Sequence, residues 1–524
     1  MADQPKLRIG IDVGGTNTDA VVLDAADRVI AKAKRPTTRD VTAGLRAALD
    51  AVLALVQEGA GQDRITRVML GTTHATNAIL ERRGLGRVAV LRLGAPATTS
   101  VPPLSDWPDD LRAAVSAGAA IVPGGHYVDG REISPPGLDA IRRFLDGVQA
   151  DAVAVTSVFS PASNEHERLA AELITSEYGL PVSLSHEIGS LGLLERENAT
   201  VLNAALYGVA AQVTDALVTA LAERGLDARP YLAQNDGTLM TVEHAARLPV
   251  STIGSGPANS LRGAAFLSGV ADAIVVDVGG TSTDLGVLTG GFPRESAAAV
   301  EIGGVLTNFR MPDILAVALG GGTVVREHGA GPDSVGYRIV EEALVFGRST
   351  MTMTDAAVAA GRTPRDAQDW RERLLNGGHD MSAGMSDTLE RALAVADEMV
   401  IDAVDRMALG KTDRPLVAVG GGAFMLPDGI PGVSHVIRPE HAEVANAVGA
   451  AIALASGRVD TILPAGDSRS QAIERVKEEA AARAVAAGAD PAGVEIVDLL
   501  EVPLSYLSEP AVRVHVKAAG PLAR

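Results

Sequence analysis

The chain has 524 residues, 47% of them hydrophobic, with no cysteine and a formal net charge of −19. That length accommodates two or three domains with separate cores. The lack of cysteine excludes disulfides and cysteine nucleophiles. The acidity argues against a nucleic-acid surface, where phosphate contacts need clustered Lys and Arg. No apolar run approaches the ~20 residues of a membrane span. The opening "MADQPKLRIG" has no apolar block behind its charges, so no secretory signal and a cytoplasmic location are expected.

Leu7, Ile9, Ile11 and Val13 alternate with other residues, the period of a strand. Gly14-Gly15 turn the chain, "AVVLD" (20–24) returns, and "RVIAKAKR" beyond Asp27 completes an antiparallel meander. A helix follows from Asp40, with Val41, Leu45, Leu49, Val52, Leu53 and Val56 on one stripe. The opening then recurs. "DVGGTNTD" (12–19) and "DVGGTSTD" (277–284) agree at seven of eight positions, and the second copy follows "AIVVDV" and leads into "DLGVL". Two related halves are expected, each opening with a β-hairpin whose turn points into a common space.

The chemistry of such a turn is readable. Gly14-Gly15 and Gly279-Gly280 let backbone N–H groups converge on an anion, because no Cβ blocks the approach. Thr16, Asn17, Thr281 and Ser282 add side-chain donors. Asp12 and Asp277, at the ends of the first strands, would repel phosphate directly. A bound Mg²⁺ resolves that conflict, its waters held by carboxylates while the metal bridges phosphate oxygens. Two opposed hairpins therefore form a clamp for a nucleotide triphosphate. Asp19 and Asp284 open the return strands and either hold a catalytic water or cap the turn. A single copy fits an ordinary hairpin turn equally well; the repetition is what favours the clamp.

"PLVAVGGGAF" (415–424) runs a buried strand into Gly420, Gly421 and Gly422, flat backbone suited to lie against a purine. The glycines at 320–322 have the same look, and either triplet also suits a plain strand-to-helix loop. Other phosphate motifs fail. The glycine a P-loop needs before Gly410-Lys411-Thr412 is Asp405, and "GSGPAN" (254–259) ends in Asn259. No His/Cys set has zinc spacing. His74 sits in a Gly/Thr-rich loop, either meeting γ-phosphate or substrate oxygen or serving as an ordinary loop residue. Asn77 reads as a cap in the next helix's first turn, and Asn235-Asp236-Gly237 as a turn first and a site second. "GSGPANS" precedes an apolar helix at 260–267 and offers N–H groups to an anion, or simply connects strand to helix.

Thr354-Asp355 is expected to cap a helix, and 385–409 to form a long core helix. "TILPAGDSRSQ" (461–471) reads as a linker ahead of a helix at 470–487 and two strands, "VEIVDLLEV" and "AVRVHVKA". Val512, Val514 and Val516 alternate with Arg513, His515 and Lys517, so that sheet is expected to be covered on one face only, leaving a tail suited to docking a partner.

The paired octapeptides and "PLVAVGGGA" resemble the phosphate-1, phosphate-2 and adenosine motifs of the actin, Hsp70 and sugar-kinase superfamily of ATPases. "GTTHATNAILERRG" (71–84), "ERENATVLNAAL" (195–206), "QNDGTLMTVEHAARLPVSTIGSGPANSLRGA" (234–264), "MTMTDAAVAAGR" (351–362) and "VPLSYLSEPAVRVHVKAAG" (502–520) are similar to one branch, the hydantoinase A/5-oxoprolinase family. The resemblance implies an α/β fold of two actin-like (ribonuclease H-like) lobes around a nucleotide cleft, with a small C-terminal α+β module. The expected boundaries are 1–270, 271–460 and 461–524. It implies ATP and Mg²⁺ as cofactors, with Asp12 and Asp277 toward the metal. The reaction implied is phosphorylation of the carbonyl oxygen of a small cyclic amide (hydantoin, 5-oxoproline or lactam), which makes an otherwise poor electrophile open to water.

Long members of that family continue for several hundred residues more, so the hydrolytic half is expected on a second, hydantoinase B-like subunit. Where the family often has His before the GTT triplet and an apolar residue after it, this chain has Leu70 and His74. Three readings compete with the amide hydrolase: a sugar or small-acid kinase, a nucleotide-dependent switch, and a ketone-carboxylase subunit. "GTTHATN" and "MTMTDA" argue against the kinase. Neither nucleic acid nor membrane is an expected partner, and a homo-oligomer is left open.

Overall fold

The computed structural model describes residues 6–523 apart from 16, 38–40, 58–63, 190, 297–298, 328, 377–382, 409, 411–412, 453, 465–468 and 505–510. Thr16 therefore lies outside the described residues. Three sheets organise the chain.

The first has nine strands in the spatial order Glu495–Leu504, Ala511–Gly520, Ala455–Pro464, Leu239–Thr241, Arg229–Ala233, Ile65–Thr72, Leu7–Val13, Asn17–Leu23 and Val29–Pro36. The second runs Phe292–Pro293, Thr283–Thr289, Ala273–Val278, Arg414–Val419, Val433–Ile437, with Ile314–Val317 also paired to Thr283–Thr289. The third is wholly parallel, in the order Ser116–Pro123, Val88–Ala95, Ala152–Ser157, Val182–Leu184. Its two middle strands, "VAVLRLGA" and "AVAVTS", are apolar runs buried almost end to end, as strands covered on both faces must be.

The first two sheets repeat one plan. Leu7–Val13 pairs antiparallel with Asn17–Leu23 and parallel with Ile65–Thr72; Ala273–Val278 pairs antiparallel with Thr283–Thr289 and parallel with Arg414–Val419. Helices Ser255–Ser268 and Ala445–Ile452 pack against each other between the sheets. Leu261 and Ala264 of the first sit in a core with Val275 and Val417 of the second sheet, whereas Val448 and Ala451 of the other helix pack on Val21 and Leu23 of the first. Each half thus sends a helix onto the opposite half. The approach depends on glycine: a Cβ on Gly263 would meet the Ala445 carbonyl, one on Gly449 the Asn259 carbonyl, and one on Gly10 the Ala447 carbonyl.

The C-terminal strands extend the first sheet. Ala455–Pro464 pairs with both Leu239–Thr241 and Ala511–Gly520, so residues 461–464, expected in a linker, are strand. Residues 465–468 lie outside the described residues, and helix Arg469–Ala486 covers the new strands through Ile473, Val476 and Ala480. The polar side of Ala511–Gly520 is not open, contrary to the alternation. His515 and Lys517 are 2% and 5% exposed, because carboxylates of Asp460, Asp236 and Glu295 face them.

Two local expectations also shift. Thr352, not Thr354, caps helix Met353–Ala359, its hydroxyl accepting the Asp355 N–H while the Asp355 carboxylate takes the Thr352 N–H. Asn77 lies one turn inside helix His74–Glu81, whose N-cap is Thr73. The long helix is Ala383–Met407, with Leu389, Leu393, Ala396, Val400 and Val404 buried. Among the described residues no single helix is long and apolar enough to cross a membrane.

Candidate functional site

Both octapeptides form hairpins with the same internal geometry. Asp12 stands directly across from Asp19, and Asp277 across from Asp284. Gly14 N–H donates to Asn17 O at 3.0 Å, and Gly279 N–H to Ser282 O at 2.9 Å. Gly15 has nothing within 4 Å of where a Cβ would sit, and Thr281 is exposed. The turns thus present open backbone at the tips and carboxylates at the base.

The two crossing helices hold those carboxylates. Asn259 Nδ2 donates to Asp12 at 3.1 Å, and its neighbour Ser260 donates to Asp277 at 2.5 Å. Asn446, on the other helix, donates to Asp12 at 3.1 Å and to Asp19 at 3.0 Å. Consecutive residues of one helix therefore grip one aspartate from each half. Lys34, on the third strand of the first meander, pairs with Asp19 at 2.9 Å and donates to the Glu443 carbonyl at 3.0 Å. Gly71 faces Asp12 and Asn259 so closely that any side chain there would displace them. Asn259, Ser260, Asn446, Lys34 and Gly71 were not singled out by sequence reasoning. "GSGPANS" contains the first two, but it was read as a loop before a helix, whereas the helix starts at Ser255 behind the left-handed Gly254.

Crowding these acids has an electrostatic cost. Burial raises the Asp12 carboxyl to about 6; the Asn259 and Asn446 bonds oppose this, and the nearby Asp19 and Asp277 charges add to it. Burial also raises Asp277, against the Ser260 bond and Lys34. Burial, then the Asp277 charge, lifts Asp284 to about 7. A divalent cation among them relieves the desolvation and the repulsion together, and the all-oxygen donor set suits Mg²⁺.

Both glycine triplets lie against the second hairpin. Gly321 N–H donates to Gly279 O at 2.9 Å and Gly322 N–H to Gly280 O at 2.7 Å, so 320–322 braces the turn from behind. Gly422 N–H donates to Val278 O at 2.8 Å, and a Cβ on Gly420 would run into Asp277. The left-handed φ of the triplet falls at Gly420 (+86°). A Cβ on Gly421 would find only Lys34 Nζ nearby, at 3.9 Å, so Gly421 is the triplet's open face.

His74 is half-buried, its Nδ1 2.6 Å from Thr72 Oγ1. Thr72 is the register partner of Val13, which puts His74 at a helix start beside the first turn. Asn235-Asp236-Gly237 forms the expected turn, with Gly237 at φ +74°, but Asp236 is buried toward Arg458 and Lys517. Folding also brings together His126, Glu132 and His166, which no sequence spacing suggests. There Gly125 N–H donates to His166 Nδ1, and Nε2 lies 3.0 Å from Glu132, so the ring is satisfied without a metal.

Two hairpin-bearing sheets joined by crossed helices define the ATPase class of α/β fold to which actin belongs. The chain belongs to the hydantoinase/oxoprolinase family: the model of that family's N-terminal region matches residues 8–178 and the hydantoinase/oxoprolinase model residues 196–459. Among curated relatives it is similar to the acetophenone carboxylase gamma subunit of Aromatoleum aromaticum, 28% identical over 67% of this chain and 53% of that protein. It is also similar to the caprolactamase subunit alpha of Pseudomonas jessenii, 27% identical over 68% of this chain and 54% of that protein. The chain thus spans about half the length of these relatives. In fold it matches the crystal structure of the ATP-dependent caprolactamase from Pseudomonas jessenii (21% identity, TM-score 0.74, 99% of this chain and 88% of that one). It matches nucleotide-free acetone carboxylase as well (18% identity, TM-score 0.67, the same coverages).

Proposed function

We propose that the chain is the ATP-using subunit of an enzyme that phosphorylates the carbonyl oxygen of a small cyclic amide to drive ring opening. The observation that carries the nucleotide part is the grip of Asn259 and Ser260 on one aspartate from each hairpin. That arrangement fixes both phosphate turns relative to each other. The substrate class follows the family and the caprolactamase likeness.

In this reading Gly14, Gly15, Gly279, Gly280 and the exposed Thr281 offer donors to the phosphates, with Asn17 and Ser282 closing the turns. Gly420, Gly421 and Gly422 lie under the adenosine. Asp12 and Asp277 would hold Mg²⁺, which would supply neutralisation of phosphate charge. Lys34 and Asn446 keep Asp19 oriented toward the water side of the first hairpin, and Asp284 does the same work on the second. His74, at a helix start, meets the substrate oxygen. Catalysis rests on alignment and charge neutralisation in a site that closes over its substrate. The γ-phosphoryl group passes from ATP to the amide oxygen, with ADP as the leaving group. One water then opens the ring to an acyl phosphate, and a second releases phosphate and the amino acid.

The relatives' names as subunits support a second polypeptide for the hydrolytic half. A ketone-carboxylase subunit is the second reading, favoured by the acetophenone carboxylase likeness, and it uses the same phosphoryl transfer to an enolate oxygen. Phosphate release measured with hydantoins, lactams, 5-oxoproline, or a ketone plus bicarbonate, with candidate second subunits added, separates the two. An amide should raise release at least ~10-fold, about 1.4 kcal/mol of barrier, with ring-opened acid in step with ADP. Stimulation only by ketone and bicarbonate transfers the assignment to carboxylation. No stimulation across the whole panel overturns both.

A further inference from the structure

The nucleotide reading leaves the parallel third sheet without a task. Its strands lie in the chain order second, first, third, fourth, so the direction of winding reverses between Val88–Ala95 and Ala152–Ser157. In open parallel sheets ligands bind beyond the carboxyl ends of strands near such a reversal. Here Ala152–Ser157, beside the reversal, leads toward Asn164, and the next strand, Val182–Leu184, leads into His186–Gly189; both segments face Ser456–Asp460 and His515 of the first sheet across a cavity of about 280 Å³. That volume is near the lower bound for small-molecule pockets, and a junction between two substructures is their usual place.

The cavity carries surplus positive charge. Arg458 lies 3.1 Å from Asp236 and 3.9 Å from Glu295, while Lys517, just behind, lies 3.0 and 3.3 Å from the same two acids. Among the described residues Arg310 pairs only with Glu295, at 3.7 Å. Three cations share two carboxylates. The acids on the wall are already engaged: Asp460 with Arg513 at 2.8 Å, Glu479 with Arg483 at 2.6 Å, and Glu187 with Arg247 at 3.5 Å. A ligand carboxylate would complete the balance.

A second polar group is aimed at the same space. Glu167 is fully buried and accepts from Ser157 N–H at 2.8 Å, the Ser185 hydroxyl at 2.5 Å and His186 N–H at 3.1 Å. It also takes His186 Nδ1–H, at 2.6 Å. With Nδ1 turned to that carboxylate, Nε2 is left without a hydrogen-bond partner among the described residues, and in the Nδ1–H tautomer it is an acceptor. His515, also on the wall and 2% exposed, has only distant carboxylate oxygens beside its ring nitrogens among the described residues, Asp460 at 3.5 Å and Asp498 at 3.8 Å. Leu248 and Phe309 supply an apolar surface.

We propose that this cavity is a binding site for a small amino acid, its carboxylate taken by Arg310 and Arg458 and its amino group by His186 Nε2. The site is separate from the nucleotide cleft, and the inference stands on the cavity alone. The two are nevertheless linked in the chain: Val250 and Ser251 on the cavity wall lead within nine residues to Asn259 and Ser260.

Isothermal titration calorimetry of the full chain without nucleotide tests the site, with L-glutamate, glutarate and n-butylamine as probes. L-Glutamate should bind saturably, glutarate at least ~10-fold more weakly, and n-butylamine not at all. Arg310→Gln should weaken L-glutamate at least ~10-fold. Arg247→Gln, at an exposed side chain on the wall, leaves the Glu187 carboxylate uncompensated to repel the ligand's and should weaken binding in the same direction. His186→Gln should erase the preference for L-glutamate over glutarate. Asp12→Asn should leave binding unchanged, so failure of the ATP reading and failure of this one are told apart. Absence of saturable binding by every probe, or L-glutamate binding indifferent to both arginine variants, overturns the proposal.

Discussion

The two octapeptides differ at one residue, yet their aspartates live in different surroundings. In the first hairpin Asp12 receives two amide bonds, from Asn259 and Asn446, and Asp19 receives Asn446 and Lys34. In the second, Asp277 has the Ser260 hydroxyl, and no group among the described residues donates to Asp284. The first carboxylate pair is therefore largely provided for by the protein, whereas the second is left to burial and mutual repulsion. Repetition in sequence reports a shared backbone device, and the donors that crossing helices bring to it decide what each copy does. The less satisfied copy has more to gain from an added cation.

The most severe way to break this comparison is at its base. Asp12→Asn and Asp277→Asn should each lower ATP turnover by roughly 10²-fold or more, the usual effect of removing a preorganised electrostatic group. The folds should survive, since neither side chain belongs to an apolar core. Wild-type turnover in both folded variants would refute the Mg²⁺ assignment. A loss confined to Asp277→Asn would instead show that only the second copy engages the metal.

A smaller effect is expected where helices meet hairpins. Asn446→Ala removes one donor shared by Asp12 and Asp19, and Ser260→Ala removes one from Asp277. Each should cost ~10-fold in turnover, with Asn446→Ala the larger because two carboxylates lose their bond. Equal effects would mean that the two copies share the chemistry more evenly than their surroundings suggest.

Next in size is the glycine triplet. Gly421→Val places a branched side chain on open backbone facing Lys34 and should weaken nucleotide binding about 10-fold without unfolding the chain. Gly420→Ala should be worse for folding, because Gly420 combines φ +86° with a wall made by Asp277 and Val278. Unchanged nucleotide affinity in folded Gly421→Val would free the triplet from the adenosine role. Because 320–322 is tied to Gly279 and Gly280, the base would then need a surface outside both triplets.

What was legible in the sequence was local and periodic. Alternation marked Leu7–Val13, the 3.6-residue stripe found the long helix at 385–409 within two residues of its observed span, Ala383–Met407, and the repeated octapeptide exposed both hairpins. What escaped was non-local. Asn259 and Asn446 matter because two helices cross at Gly263 and Gly449, and nothing in "SGPANSLRGA" or "HAEVANAVGA" states that crossing. The same holds for the polar face of Ala511–Gly520. Arg513, His515 and Lys517 alternate as a solvent-facing row does, and only the fold reveals that Asp460, Asp236 and Glu295 cover them. Thr352 was passed over as a cap because the capping box spans Thr352 and Asp355, not two adjacent residues.

The smallest expected effect sharpens the contrast between the copies most directly. The Asp284 carboxyl is raised to about 7, by burial first and the Asp277 charge second. In the unfolded chain it titrates near the ordinary value of about 3.9. A group whose folded pKa is raised lends stability that is fully present below the unfolded value and is lost as pH rises through the folded one. The metal-free chain should therefore lose stability at this residue between about pH 4 and pH 7, and remain penalised above that. Asp284→Asn removes the ionisation, so it should raise Tm at pH 8 by at least about 2 °C, by roughly a third as much at pH 5, and hardly at all below about pH 4. Added Mg²⁺ should stabilise the wild-type chain more at pH 8 than at pH 5, because the cation compensates only ionised acids, and the variant should show less of that gain. Asp19, with Lys34 and Asn446 beside it, is the control: Asp19→Asn discards an ion pair and should lower Tm at pH 8. Opposite signs for the two equivalent positions are the expected signature. A fall in Tm for Asp284→Asn matching that of Asp19→Asn would show that the second hairpin is as well provided for as the first.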